Sequence, residues 1–203
     1  MTGVKSTRAQ KAALTRGRML DAAYELLCEQ GFAPTTMTAI AQRAGVAVQT
    51  LYFTFHTKDE LLQAVQDRMV LGDEGLPPPM QPWHRAAMAE VDPEKAVRLI
   101  VGGVATICAR VAPMVPVFHA VAAEPAGQVW AHAEALRDAG MRDLAEALRA
   151  KRAFRKGVSL DRATDLLFVL TGPESYRSFV LERGWTRGQW ESWTAAALVR
   201  DLW

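Results

Sequence analysis

A chain of 203 residues, 50% of them hydrophobic, is long enough to bury a substantial core as one domain or as two small ones. Its formal charge of +2 is too mild to demand a nucleic-acid partner, but the excess is unevenly placed: residues 1 to 18 carry Lys5, Arg8, Lys11, Arg16 and Arg18 and no acidic side chain, whereas from residue 71 onward the charges balance. Cys28 and Cys108 are too few and too separated for a disulfide framework, and neither a signal-peptide h-region nor 18 consecutive apolar residues occurs, so a reduced cytoplasmic setting with no membrane partner is expected.

Residues 1 to about 12 lack strong periodicity and read as an arm, or partly as a lead-in to the first helix. From about Thr15 to Gln30, Met19, Leu20, Ala23, Leu26 and Leu27 share one helical stripe that Gly31 ends, and Phe32 turns inward. Thr36 is placed to cap a short second helix whose inward face is Met37, Ile40, Ala41 and Ala44, with Gly45 as its left-handed stop. A third short helix is expected from about Ala47 to Phe53, burying Leu51 and turning Val48, Gln49, Thr50 and Tyr52 outward. Two short helices joined by a turn with a glycine are a helix-turn-helix. Its second helix carries small and polar side chains, which lets the backbone approach a duplex closely. Thr57 and Glu60 then form a capping-box pattern opening a fourth helix, where Lys58 and the free N–H groups are placed to grip a phosphate.

These residues resemble the N-terminal domain of tetracycline-repressor (TetR) family transcriptional regulators. The resemblance is carried by Thr36, Ile40-Ala41, Ala44-Gly45-Val46, Thr50-Leu51-Tyr52, Phe55, and Lys58 with Glu60-Leu61-Leu62, preceded by Met19 to Ala23 and Gly31-Phe32. Ala47, Gln49 and Thr54 depart from the usual Ser, Gly and His. The resemblance implies an all-α fold: an N-terminal helix-turn-helix domain over residues 1–57, then a C-terminal helical bundle over 58–203 for ligand binding and dimerisation, bridged by the helix from Lys58. It implies double-stranded DNA with a palindromic operator, a small-molecule effector and a second copy of the chain as partners, and neither cofactor nor metal. Thr36, Tyr52 and Lys58 are expected at phosphates and Val48, Gln49 and Thr50 at base edges. His56 joins this DNA-facing set without a specific role, and Phe53 is left unassigned.

Beyond Leu71 a Gly- and Pro-rich stretch, Gly72 to Pro79, breaks the chain. Every later segment has a helical period: a short helix over Trp83 to Glu90, one opened by Asp92-Pro93 and interrupted at Pro113 and Pro116, a long one from Glu124-Pro125, one after Ser159 restarted at Gly172-Pro173, and a last one capped by Thr186 and Gln189. The basic run Arg149 to Lys156 reads as a solvated connection. Met114, Phe118, His119, Trp130, Met141 and Phe168 are candidates for an apolar effector pocket. Tyr176, Phe179, Trp190, Trp193 and Leu198 are candidates for pairing with a second copy. No phosphate loop, metal-spaced cluster or nucleophile motif points to an enzyme. A repressor released by an apolar ligand is the leading expectation; a ligand-binding or adaptor protein of the same fold that has lost DNA binding is the alternative, with Gln49 as its support.

Overall fold

A computed structural model describes residues 7–72 and 75–203. Among these every regular element is helical, as the periodicity predicts. Two compact units are formed: one from the described residues up to Asp67 with Pro116–Val129, the other from Arg68–Val115 with Trp130–Trp203.

The first unit is built on α1 (Arg8–Gln30). This helix starts earlier than the apolar stripe indicates, because Thr7 and Gln10 form a reciprocal capping box that carries the polar residues 8–14 into the helix. The expected arm therefore shrinks; Lys5 and the rest of residues 1–6 lie outside the described residues. Met19, Leu20, Ala23, Leu26 and Leu27 are buried, as are Met37, Ile40, Ala41 and Ala44 of α2 (Met37–Ala44). Thr36 caps α2 by accepting from the Ala39 N–H at 3.1 Å. Gly45 ends it with φ 65°, a left-handed conformation that costs a side chain roughly 1–2 kcal/mol. The Val46 N–H then reaches back to the Ala41 carbonyl, closing a turn tight enough to start α3 (Val48–Thr54) at once. A further helix, α4 (Lys58–Leu71), contributes buried Leu61, Leu62 and Val65.

The second unit contains α5 (Pro82–Ala89) and α6 (Pro93–Val111), the latter capped by Asp92 on the N–H groups of Glu94 and Lys95. The prolines at 113 and 116 do not break the path as expected. A single 3-10 turn at Ala112–Met114 absorbs them, and the chain runs directly into α7 (Val115–Ala120), since proline is tolerated in the first turn of a new helical segment. The run Pro93–Ala120, with a mean hydropathy of 1.7, is long and apolar enough to cross a membrane, and 61% of that window is buried inside the protein, as in a core helix. After α8 (Gly127–Lys151) and α9 (Leu160–Leu170), Gly172 and Pro173 restart the helix as α10 (Pro173–Tyr176) with a π-helical continuation, Arg177–Glu182. The last helix, α11 (Arg187–Leu202), has the expected Thr186–Gln189 capping box. The basic connection after α8 is tied to the chain end: Arg155 N–H donates to the Leu202 carbonyl, and the Trp203 indole donates to the Arg152 carbonyl at 3.1 Å.

The core of this unit joins Ala87, Val97, Ile100, Val101, Val104, Cys108, Leu144, Leu148, Leu167, Trp190 and Leu198. Its tightest approach is at Gly103, where a β-carbon would overlap the indole of Trp83. The indole therefore lies in a notch on α6, and its Nε1–H orients Gln81 at 2.7 Å. Gly103→Ala is expected to overpack this notch and lower the urea midpoint by an amount equivalent to about 1–3 kcal/mol, with an unchanged denaturant slope; an unaltered midpoint would show that Trp83 moves aside freely.

Candidate nucleic-acid interface

The third helix is fixed by two side chains on its inner face. Leu51 is fully buried and Phe55, its C-terminal cap residue, nearly so. Because α3 has only two turns, burying these two residues turns the rest outward. Gln49, Thr50, Tyr52, Phe53 and His56 are exposed and Val48 is half-buried. Thr54 directs its hydroxyl onto the Thr50 carbonyl at 2.8 Å, so it does not extend the outward surface. Ala47 provides no side-chain cap. No aspartate or glutamate occurs between residues 31 and 57, which leaves this surface without a carboxylate of its own.

The cations around α3 divide into two groups. Arg43, the basic residue within the helix-turn-helix, lies on Glu25 at 3.2 Å and on Glu29 at 2.9 Å, stapling α2 to α1; these bonds hold the Glu29 carboxyl below its ordinary range. Lys58 is also engaged. Its ammonium donates to the Phe32 carbonyl and sits 3.9 Å from the centre of the Phe32 ring, and burial pushes its pKa down. One donor of three is thus committed inside the unit. Glu60 accepts from the His56 N–H at 3.3 Å rather than from Thr57, while Thr57 accepts from the Glu60 N–H at 3.0 Å, so the expected capping box closes one residue earlier than its pattern indicates.

Two arginines of α1 stand in the other group. The guanidinium of Arg16 lies 4.9 Å from the centre of the Phe55 ring, at the C-terminal end of α3. That of Arg18 lies 3.8 Å from where a β-carbon on Gly45 would stand, at the turn leading into α3. Both are exposed. The sequence treats them only as part of a basic terminus, yet the Thr7-x-x-Gln10 pattern is legible and would have carried the helix back beneath them. Thr35 is a second omission: fully buried, it accepts from the Gln30 amide at 3.2 Å and donates to the Gly31 carbonyl at 2.7 Å, fixing the connection that leads to Thr36.

With this geometry in place, comparison with known proteins is direct. Residues 19–65 match the sequence model of the bacterial regulatory proteins of the tetR family. This segment makes the chain a tetR-family protein. Over 57 residues it is 44% identical to the HTH-type transcriptional regulator SrpR of Pseudomonas putida, a match covering 28% of this chain and 27% of SrpR; the likeness to such curated relatives is thus confined to about a quarter of their length. In fold the chain is similar to NalD, the secondary repressor of the MexAB-OprM multidrug efflux pump in Pseudomonas aeruginosa (TM-score 0.69, 18% identity, 94% of this chain and 97% of that one). It is similar also to the transcriptional regulator FadR of Bacillus subtilis in complex with stearoyl-CoA (TM-score 0.67, 15% identity, 92% and 99%).

The residues expected at the effector and pairing sites of this tetR-family chain are placed as follows. Phe118 and His119 belong to the first unit, and Met114, Trp130, Met141 and Phe168 to the second. Met114 and Phe118 are fully buried and His119 is exposed. Phe168 is half-buried, its ring covered by the Arg137 guanidinium at 3.4 Å; Arg137 also pairs with Glu134 at 2.7 Å and donates to the Phe168 carbonyl at 2.7 Å. The pairing set needs correction. Tyr176, Trp190 and Leu198 are buried within a single chain, where Trp190 meets Tyr176 edge to face at 5.1 Å and donates to the Ser175 hydroxyl at 3.1 Å. A large ring with a satisfied N–H is a core residue, and these three present no surface to a partner. Phe179 and Trp193 remain at the surface with Trp185, ring centres 4.6 and 4.8 Å apart from Phe179, beside an open groove of about 770 Å³ lined by Trp185, Thr186, Gly188, Gln189, Ser192 and Trp193.

The engagement of Lys58 with Phe32 has a measurable weight. Lys58→Met keeps the stem and removes the charge-assisted bond, and is expected to cost about 1.5–3 kcal/mol of stability, read as a lower urea midpoint; a variant as stable as the natural chain would show that water replaces the ammonium without loss.

Proposed function

We propose that this protein is a homodimeric transcriptional regulator, acting as a repressor, that binds a palindromic operator through α3 and releases it when a small, largely apolar ligand enters the helices of residues 58–203. The observation that carries the reading is α3 itself: a short helix presenting Gln49, Thr50, Tyr52 and Phe53, free of carboxylates, with Arg16 and Arg18 at its two ends. Arginine at both ends of a groove-sized helix suits two phosphates flanking the bases it reads. Thr36, Tyr52 and the remaining donors of Lys58 are additional phosphate contacts, and Val48, Gln49 and Thr50 set sequence preference.

Two-fold operators require two copies. The exposed cluster Phe179, Trp185 and Trp193 supports pairing through the groove at the start of α11, since aromatic rings at a surface are favoured where a partner desolvates them. For ligand response, the bridge is α4. Its last carbonyls are held by side chains from outside the helix: Arg110 Nε on Met69 at 2.6 Å, and Gln81 Nε2 on Val70 at 3.2 Å. A ligand that favours a shifted α6 would draw the end of α4 with it through Arg110, and the spacing of the two reading helices would change. An apolar effector is supported by the Met and aromatic side chains of the candidate set, and by the acyl-CoA held in the similar fold of FadR.

Two measurements test this. The double variant Arg16→Ala/Arg18→Ala is expected to weaken binding to operator and to scrambled duplex alike, and to make the slope of log affinity against log salt shallower by about 2, close to 0.9 for each lost phosphate contact. Gln49→Ala should instead change which bases are tolerated while leaving that slope in place. If the arginine pair leaves the slope untouched, α3 is not docked between the phosphates proposed. Trp193→Glu places a charge in the pairing groove and is expected to convert a dimer in sedimentation into a monomer with reduced operator affinity; a dimer that persists would locate pairing elsewhere.

A further inference from the structure

Among the described residues Phe53 is the most exposed of the large apolar side chains, at 86%. It lies outside the Leu51 and Phe55 support of α3. Gln49 precedes it by four residues, which places the amide and the ring on one face of the helix, a turn apart. Thr50, Tyr52 and His56, the other exposed side chains nearby, all hydrogen-bond. A single ring set among hydrogen-bonding groups does not match a continuous apolar protein partner, whose interface core would present several such rings together. It does match the major-groove floor, where the only apolar groups are isolated thymine methyls between hydrogen-bonding edges.

We infer that Phe53 is a specificity residue that packs on the C5 methyl group of a thymine, while Gln49, one turn earlier, bonds the N6 and N7 edge of a nearby adenine. Each operator half-site accordingly carries an obligatory thymine whose methyl group, rather than its pairing edge, is read. The inference rests on the DNA-binding reading above and adds to it the chemistry of one contact. Arg16, beside Phe55 at the same end of α3, holds the adjacent backbone.

The test separates the two readings. The full chain is used to enrich duplexes from a randomised library, and each thymine of an enriched duplex is then replaced by uracil, which pairs identically and lacks only the methyl group. One uracil per half-site is expected to weaken the natural chain by about fourfold, the weight of one buried methyl group, and to have no effect on Phe53→Ala. The variant should keep the natural urea midpoint, because the ring is outside the core. Uracil sensitivity that survives in Phe53→Ala, or is absent at every position from the natural chain, overturns the assignment while leaving DNA binding in place. No enrichment at all overturns DNA binding itself, and the contact with it.

Discussion

The burial of Leu51 and Phe55 is the constraint on which the amino-terminal unit turns. A helix of seven residues has almost no stability of its own, because nucleation is costly and few hydrogen bonds repay it. It persists here because two side chains a turn apart are buried and because the left-handed Gly45 lets the chain reverse immediately before it. The same two anchors decide what faces out. Rotating α3 by one residue would expose Leu51 and bury Gln49 or Tyr52, losing roughly 2 kcal/mol of apolar burial before the cost of desolvating a polar group.

Charge within this unit is sorted by geometry more than by amount. Arg43 and Lys58 both lie in or beside the helix-turn-helix, yet one is paired with two glutamates of α1 and the other is bonded to the Phe32 carbonyl under an aromatic ring. They hold the three-helix unit together. Arg16 and Arg18, which precede the matched family segment, are the guanidinium groups that stand at the ends of α3. A count of basic residues along the motif would therefore choose the wrong pair.

The larger unit shows a comparable division among its aromatic side chains. Trp83 fills the notch over Gly103 and orients Gln81, and Trp190 closes the core against Tyr176. Trp185 and Trp193 remain with Phe179 on the surface. Rings that are indistinguishable by composition are thus assigned to core or surface by which turn of a helix they occupy. The 3-10 turn at Ala112–Met114 and the π-helical stretch Arg177–Glu182 each alter that phase, because a turn of three or of more than four residues rotates everything after it.

The sequence by itself determined the helical class, the positions of α2, α3 and α4, and the caps at Thr36, Asp92 and Thr186, since each depends on residues within a few positions of one another: an oxygen three residues before an N–H, a glycine after a periodic run, apolar residues one turn apart. The start of α1 was legible in the same way at Thr7 and Gln10 but was masked by the absence of apolar periodicity. Only the tertiary structure decided which cations are neutralised, that Thr35 is buried, that Trp190, Tyr176 and Leu198 belong to a single chain's core, and that Arg110 holds the end of α4. Those outcomes depend on groups tens of residues apart meeting at hydrogen-bond distance, and local pattern contains no information about the partner that arrives from the far side of the fold.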